Sequence, residues 1–149
     1  MELKSLLVAS KTTWVEFPGL DGFEVELANL SRKELLALRK RCTEQKFNRK
    51  TRAFEETLND EKFVKDFTDS TVKGWKGLKL KYLEDLLLVD ISGQDADSLL
   101  DYSIDNAKQL VDNSGEFDNW LNEVVFDLDN FRTVSKGNDT GKTEEIPGS

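Results

Sequence analysis

Three stretches of this 149-residue chain hold residue types that could do chemistry. The first is "GNDTGKT", Gly137 through Thr143, whose glycines, lysine and threonine are those of a phosphate-binding loop. A phosphate cradle needs four residues between its glycines so that successive N–H groups converge on the anion, and only three stand between Gly137 and Gly141. No strand pattern leads into it, so nucleotide binding is not expected there. The other two are "DISGQDAD" from Asp90 and "DNSGEFD" from Asp112, which gather the hard oxygen ligands that calcium takes. Neither places glycine at the sixth loop position with glutamate at the twelfth, so both read as solvated acidic loops.

What the chain lacks is equally restrictive. With no histidine, Ser-His-Asp and Cys-His catalysis, histidine-bearing zinc sites and the usual general base at neutral pH are all closed to it. The single cysteine, Cys42, cannot form an internal disulfide and lies in an apolar helical stripe, where a buried small hydrophobe is the expected reading. Carboxylates are plentiful, but no pair is singled out by spacing, and no nucleophile elbow or metal-ligand pattern supports one. The expectation is a protein with no catalytic residue, no cofactor and no metal.

The elements that would position any functional residue must come from a chain with 38% hydrophobic residues, enough for one domain with its own core. The expected division is a single domain over residues 1–131, with a flexible polar tail over 132–149. No run of eighteen apolar residues occurs, and "MELKSLLVASK" is too short and weakly apolar for a secretory signal, so a soluble intracellular protein without membrane contact is expected. The net charge of −8 opposes phosphate approach, so nucleic acid is not an expected partner, although "KFNRKTRAF" interleaves bases with Phe47 and Phe54 as single-strand binders do. That net charge conceals a polarity. Residues 32–55 carry nine Lys/Arg against three Glu, a balance of +6, whereas residues 84–129 carry thirteen Asp/Glu against one Lys, a balance of −12.

Along the chain, "TTWVEFPGLDGFEVEL" reads as a β-hairpin with Trp14, Val15 and Phe17 in one arm and Phe23, Val25 and Leu27 in the other, the second alternating with Glu24 and Glu26. "SRKE" is a capping box, Ser31 with Glu34, opening a helix expected to reach Lys46. "KFNRKTRAFEETLND" breaks the period, and a second helix capped at Asn59 or Asp60 then places Phe63, Val64, Phe67, Thr71, Val72 and Trp75 on one stripe. Gly74 and Gly77 in "VKGWKGLKLKY" end or bend that helix, and the stretch reads as a hinge between helices pinned by Trp75. "LKYLEDLLL" makes a short helix, Ser103 caps another, and "EFDNWLNEVVFDLDNF" reads as one amphipathic helix with Phe117, Trp120, Leu121, Val124, Val125, Leu128 and Phe131 inward. The architecture expected is mainly α, an N-terminal β-hairpin packed on a bundle of four to five helices. Trp14, Phe17, Trp75, Leu78, Trp120 and Phe131 are the candidate fold-defining or partner-contact positions.

In order and spacing, "WVEFPGLDGFEVEL", "SRKELLALRKRCTEQKFNRKT", "LNDEKFVKDFTDSTVKGWKGLKLKYLEDLL" and "YSIDNAKQLVDNSGEFDNWLNEVVFDLDNF" resemble the tail assembly chaperones of long-tailed, siphophage-type bacteriophages over about residues 12–131. That family has a hairpin before a helical body, a "WxGL" element, and an "S-x-x-N" cap leading to a final helix with Phe and Trp. The resemblance implies a non-enzyme that keeps the tape measure protein soluble while tail tube protein polymerises around it. It implies action in the host cell cytoplasm and absence from the mature virion. Ending in a polar tail without a second domain, the chain resembles the short form, with a frameshift-extended form of itself as a further partner. Several copies would serve one client, and the basic 32–55 segment of one copy meeting the acidic 84–129 segment of the next would give a head-to-tail oligomer. The rival reading is an acidic helical adaptor or a phage-encoded inhibitor of a host protein, its acidic face mimicking nucleic acid.

Overall fold

The computed structural model describes residues 1–8 and 11–135. Strands β1 (Thr12–Glu16) and β2 (Glu24–Ala28) form the expected antiparallel hairpin, with Thr13 opposite Leu27 and Val15 opposite Val25. The period-two alternation buries Val25 and Leu27 completely and leaves Glu24 and Glu26 on the wetter face. Helix α1 (Arg32–Cys42) opens on the capping box: the Glu34 N–H donates to Ser31 Oγ at 3.1 Å, and the Ser31 N–H donates to Glu34 Oε1 at 2.9 Å.

From there the architecture departs from the sequence-based expectation. α1 stops at Cys42 instead of running to Lys46, and a second hairpin follows at once, β3 (Thr43–Asn48) and β4 (Ala53–Leu58). Helix α2 (Asp60–Thr71), with Asn59 as its cap, ends before Trp75; Val72–Lys76 is instead a strand, β5, antiparallel to β2. The first sheet therefore runs β1-β2-β5, and β3-β4 stand as a separate two-stranded sheet. Helices α3 (Leu80–Leu86), α4 (Ile104–Asn113), α5 (Gly115–Val125) and α6 (Asp129–Ser135) complete the described residues. The mainly α expectation of one hairpin on four to five helices is thus corrected to an α+β fold, with six α-helices and five strands in two small sheets among the described residues.

The β5 misreading has a physical cause. A bulge between Glu26 and Leu27 pairs Val25 with Trp75 but Leu27 with Val72, so two inward residues of β5 stand three apart instead of two. A spacing of three continues a helical stripe, and the strand imitates the period of the helix before it. The hinge reading of "VKGWKGLKLKY" falls with it.

The core lies between the three-stranded sheet and helices α2, α4 and α5. Phe17, Phe23 and Phe117 form its aromatic centre, with ring centroids 5.8, 6.0 and 6.5 Å apart, each pair of this kind adding about 0.5–1.5 kcal/mol beyond area burial. Ser114 is both the last cap of α4, its N–H donating to the Leu110 carbonyl, and the first cap of α5, its hydroxyl accepting from the Phe117 N–H at 3.1 Å. Two helices thus turn on one buried residue. α5 ends at Val125, where Asn29 Nδ2 donates to the Val125 carbonyl at 2.9 Å and Asn130 Nδ2 to that of Val124 at 3.1 Å. The single helix expected through Phe131 is therefore two, and Leu128, expected inward, is exposed in the connection. Phe131 is buried on α6, which continues to Ser135, past the expected start of the tail. "GNDTGKT" lies outside the described residues.

Candidate interaction surfaces

The six residues singled out in the sequence go to different places. Phe17, Trp75, Leu78 and Phe131 are buried, and Trp120 is half-buried with its ring 4.8 Å from that of Phe17. Trp75 Nε1 donates to the Leu100 carbonyl at 2.9 Å, so its one polar atom is satisfied inside the core, and its ring meets those of Phe23 and Tyr102 edge-on. Trp14 is different. It is 45% exposed on the outer face of the sheet, beside Gly74 and beneath the Lys76 ammonium, which stands 4.6 Å from its ring centroid.

The lysines of "VKGWKGLKLKY" have partners within the chain. Lys73 Nζ donates to the Asp69 carbonyl at 2.9 Å, Lys76 lies 3.8 Å from Glu24, and Lys79 and Lys81 converge on Asp97 at 3.8 and 3.1 Å. The hydrogen bond and charge of Lys81, with Lys79 behind it, hold the Asp97 carboxyl below its ordinary range. Gly77 has its own role. With φ +75° its backbone lies against Gly22, and an added Cβ would sit 2.0 Å from the Gly22 carbonyl oxygen. Tyr82 donates its hydroxyl to the Asp21 carbonyl at 2.6 Å, so the loop after β5 clamps the turn of the first hairpin.

A strongly exposed feature is the β3-β4 hairpin, absent from the sequence-based reading. Every residue on its two strands is exposed except Asn48 and Leu58, which are half-buried. Phe47 and Phe54 face each other across it, 54% and 70% exposed, with ring centroids 5.4 Å apart at 70°. Its root is tied where the Asn59 N–H donates to the Cys42 carbonyl at 2.8 Å and Asn59 Nδ2 to Glu44 Oε2 at 3.1 Å. At its tip the Arg52 N–H closes the turn onto the Asn48 carbonyl at 2.7 Å, and Arg52 adopts φ +57° without being glycine. The opposite charge lies elsewhere: the carboxylates of Glu84, Asp85, Asp90, Asp95, Asp101 and Asp105 are all on exposed residues.

Among the described residues, no group of three or more Cys, Asp or Glu side chains converges as a metal would require. Cys42 is wholly shielded, and burial, with Asp66 Oδ2 3.7 Å away, pushes its thiol up and away from the reactive thiolate. An open cleft of about 290 Å³ is lined by Leu30, Leu38 and the polar Glu34, Arg41, Ser70 and Lys73, a set with no buried titratable pair. No helix among the described residues is long and apolar enough to cross a membrane. Compared with protein-family models, with curated proteins and with solved structures, the chain shows no match.

Proposed function

We propose that this chain is a non-catalytic chaperone of phage tail assembly, which keeps a long helical tape measure protein in solution while tail tube subunits polymerise around it. The observation that carries the reading is the display of large apolar side chains in water by a chain of net charge −8, among them Leu3, Leu6, Leu7, Phe47, Phe54 and Leu99. An amphipathic client helix offers a long apolar stripe that such side chains can cover, and the negative charge keeps the resulting complex dispersed. The motif order over residues 12–131 supports the same reading. Several copies act per client, in the host cytoplasm, with the frameshift-extended form as a partner, and none stays in the finished particle. The test is light scattering during dilution of a denatured tape measure segment into buffer holding increasing amounts of this protein. Suppression that saturates at a fixed ratio of several copies per client supports the reading. Aggregation unchanged from that in an equal mass of an unrelated acidic protein contradicts it.

The exposed carboxylates over 84–129 favour one second reading, an inhibitor that mimics nucleic acid. Recovery of a host nuclease or polymerase, in place of tape measure and tube subunits, by the tagged protein in infected cells would select it.

A further inference from the structure

The β3-β4 hairpin is costly as it stands. A two-stranded hairpin is at best marginally stable in water, and this one holds two phenylalanines outside the core and a non-glycine residue in the left-handed region at Arg52. Its tip is basic: Arg49, Lys50 and Arg52 lie in the turn between Asn48 and Ala53, which has no carboxylate, while Lys46 on β3 stands opposite Glu55 on β4. Further along the chain, residues 87–105 carry five Asp and no Lys or Arg, and exposed Leu99 and Ile104, each 59% exposed, flank Asp101. The two regions match in kind, apolar anchors with positive charge against apolar side chains with negative charge. They do not meet within the chain. The ion pairs among the described residues are Lys65–Asp69, Lys76–Glu24, Lys79–Asp97, Lys81–Asp97, Lys108–Asp112 and Arg132–Asp129, and none joins the arm to the acidic segment.

We propose that the β3-β4 hairpin is a docking arm whose occupant is a second copy of this chain, Phe47 and Phe54 seating on the 87–105 face of the neighbour while the basic tip meets its aspartates. Arm and socket are different surfaces of one chain, so the contact is heterologous: each added copy presents a fresh arm or a fresh socket, and assembly extends head to tail unless it closes into a ring. Aromatic anchors beside arginine are the composition that concentrates binding energy in a small interface. The inference deepens the multi-copy part of the proposed function and rests on it.

Sedimentation velocity of the full chain, from micromolar to hundreds of micromolar, tests it. In about 50 mM salt, where the screening length is more than 10 Å, the wild-type protein is expected to form concentration-dependent oligomers, and about 500 mM salt is expected to weaken them at least tenfold. The arm variant Arg49→Glu/Lys50→Glu/Arg52→Glu and the socket variant Asp101→Lys/Asp105→Lys are each expected to be monomeric alone and to associate when mixed, because each restores the complementary charge the other lost. Phe47→Ser/Phe54→Ser removes the anchors and is expected to stay monomeric while still folding cooperatively, its melting temperature lowered by only a few degrees for the lost cross-strand ring pair. A monomeric wild-type protein throughout, or reversals that leave association unaltered, overturns the inference. So does a wild-type monomer that binds a fluorescent single-stranded oligonucleotide through the same arm residues. Suppression of client aggregation is read separately: retained by a strictly monomeric protein, it overturns only the arm; lost by a protein that still oligomerises, it overturns only the chaperone reading.

Discussion

Gly77→Ala is expected to be among the most damaging single-methyl changes the chain can suffer, and its magnitude can be built from two parts. The first is conformational: at φ +75° an L-residue with a Cβ costs about 1–2 kcal/mol, partly offset by about 0.5 kcal/mol of lost unfolded-state freedom. The second is steric. The new Cβ would lie 2.0 Å from the Gly22 carbonyl oxygen and 2.8 Å from its carbon, backbone atoms that cannot swing aside. The turn they belong to is held by the Phe23 N–H donating to the Leu20 carbonyl at 3.1 Å and by the Tyr82 hydroxyl on Asp21, so relief must disturb both, at about 1–3 kcal/mol. Together the expected loss is about 3 kcal/mol, or roughly 6–12 °C in melting temperature at this chain length. Gly93→Ala is the matched control, with φ +79° and nothing within 4 Å of the added methyl, so it carries the first part alone, about 1 kcal/mol. Urea unfolding followed by tryptophan fluorescence measures both. Equal losses at Gly77 and Gly93 would refute the clamp between the first turn and the loop after β5.

Trp75→Ala is expected to cost about 3–5 kcal/mol in the same assay, and Trp75→Phe about 1–3 kcal/mol because it leaves the Leu100 carbonyl without its donor. Ser114→Ala should cost about 1–2 kcal/mol, since it strips the Phe117 N–H of its partner at a buried helix junction; Ser114→Asp should recover part of that. Asp97, held below its ordinary range by Lys81 and Lys79, binds fewer protons folded than unfolded as pH falls, so folding releases protons there. Its contribution is therefore present above the ordinary carboxylate range and lost as pH drops through the depressed one. Asp97→Asn should thus lower stability slightly at pH 7 and leave it unchanged in strong acid, as denaturant midpoints at both pH values would show.

Where a segment buries one face and is capped by a side chain, the sequence was a sufficient guide. Ser31, Asn59 and Ser103 each accept a backbone N–H three residues on, as expected of caps, and Val25 and Leu27 alternate inward as written; the double cap at Ser114 was not legible. The losses share a cause, the absence or distortion of that burial period. In β3 and β4 both faces meet solvent, so no alternation of apolar and polar residues marks them, and the Asn48–Arg52 turn lacks the glycine that announces a hairpin. In β5 the bulge stretched the period from two to three and borrowed the helical pattern of α2. Leu128 is an exposed apolar residue that carried the expected helical stripe across a break made by Asn130 and by Asn29, whose capture of the Val125 carbonyl from far along the chain no local pattern records. Of the candidate surface, the charge polarity and the Phe47/Phe54 pair were legible; that they stand on a projecting arm was not.

The most direct measurement of the account is co-expression of this chain with the tape measure protein, comparing the soluble fraction of the client with and without it. The account expects the client to move from the insoluble to the soluble fraction and to co-purify with several copies of this chain. A client that stays insoluble at equal expression, with none recovered on the tagged chain, would contradict it.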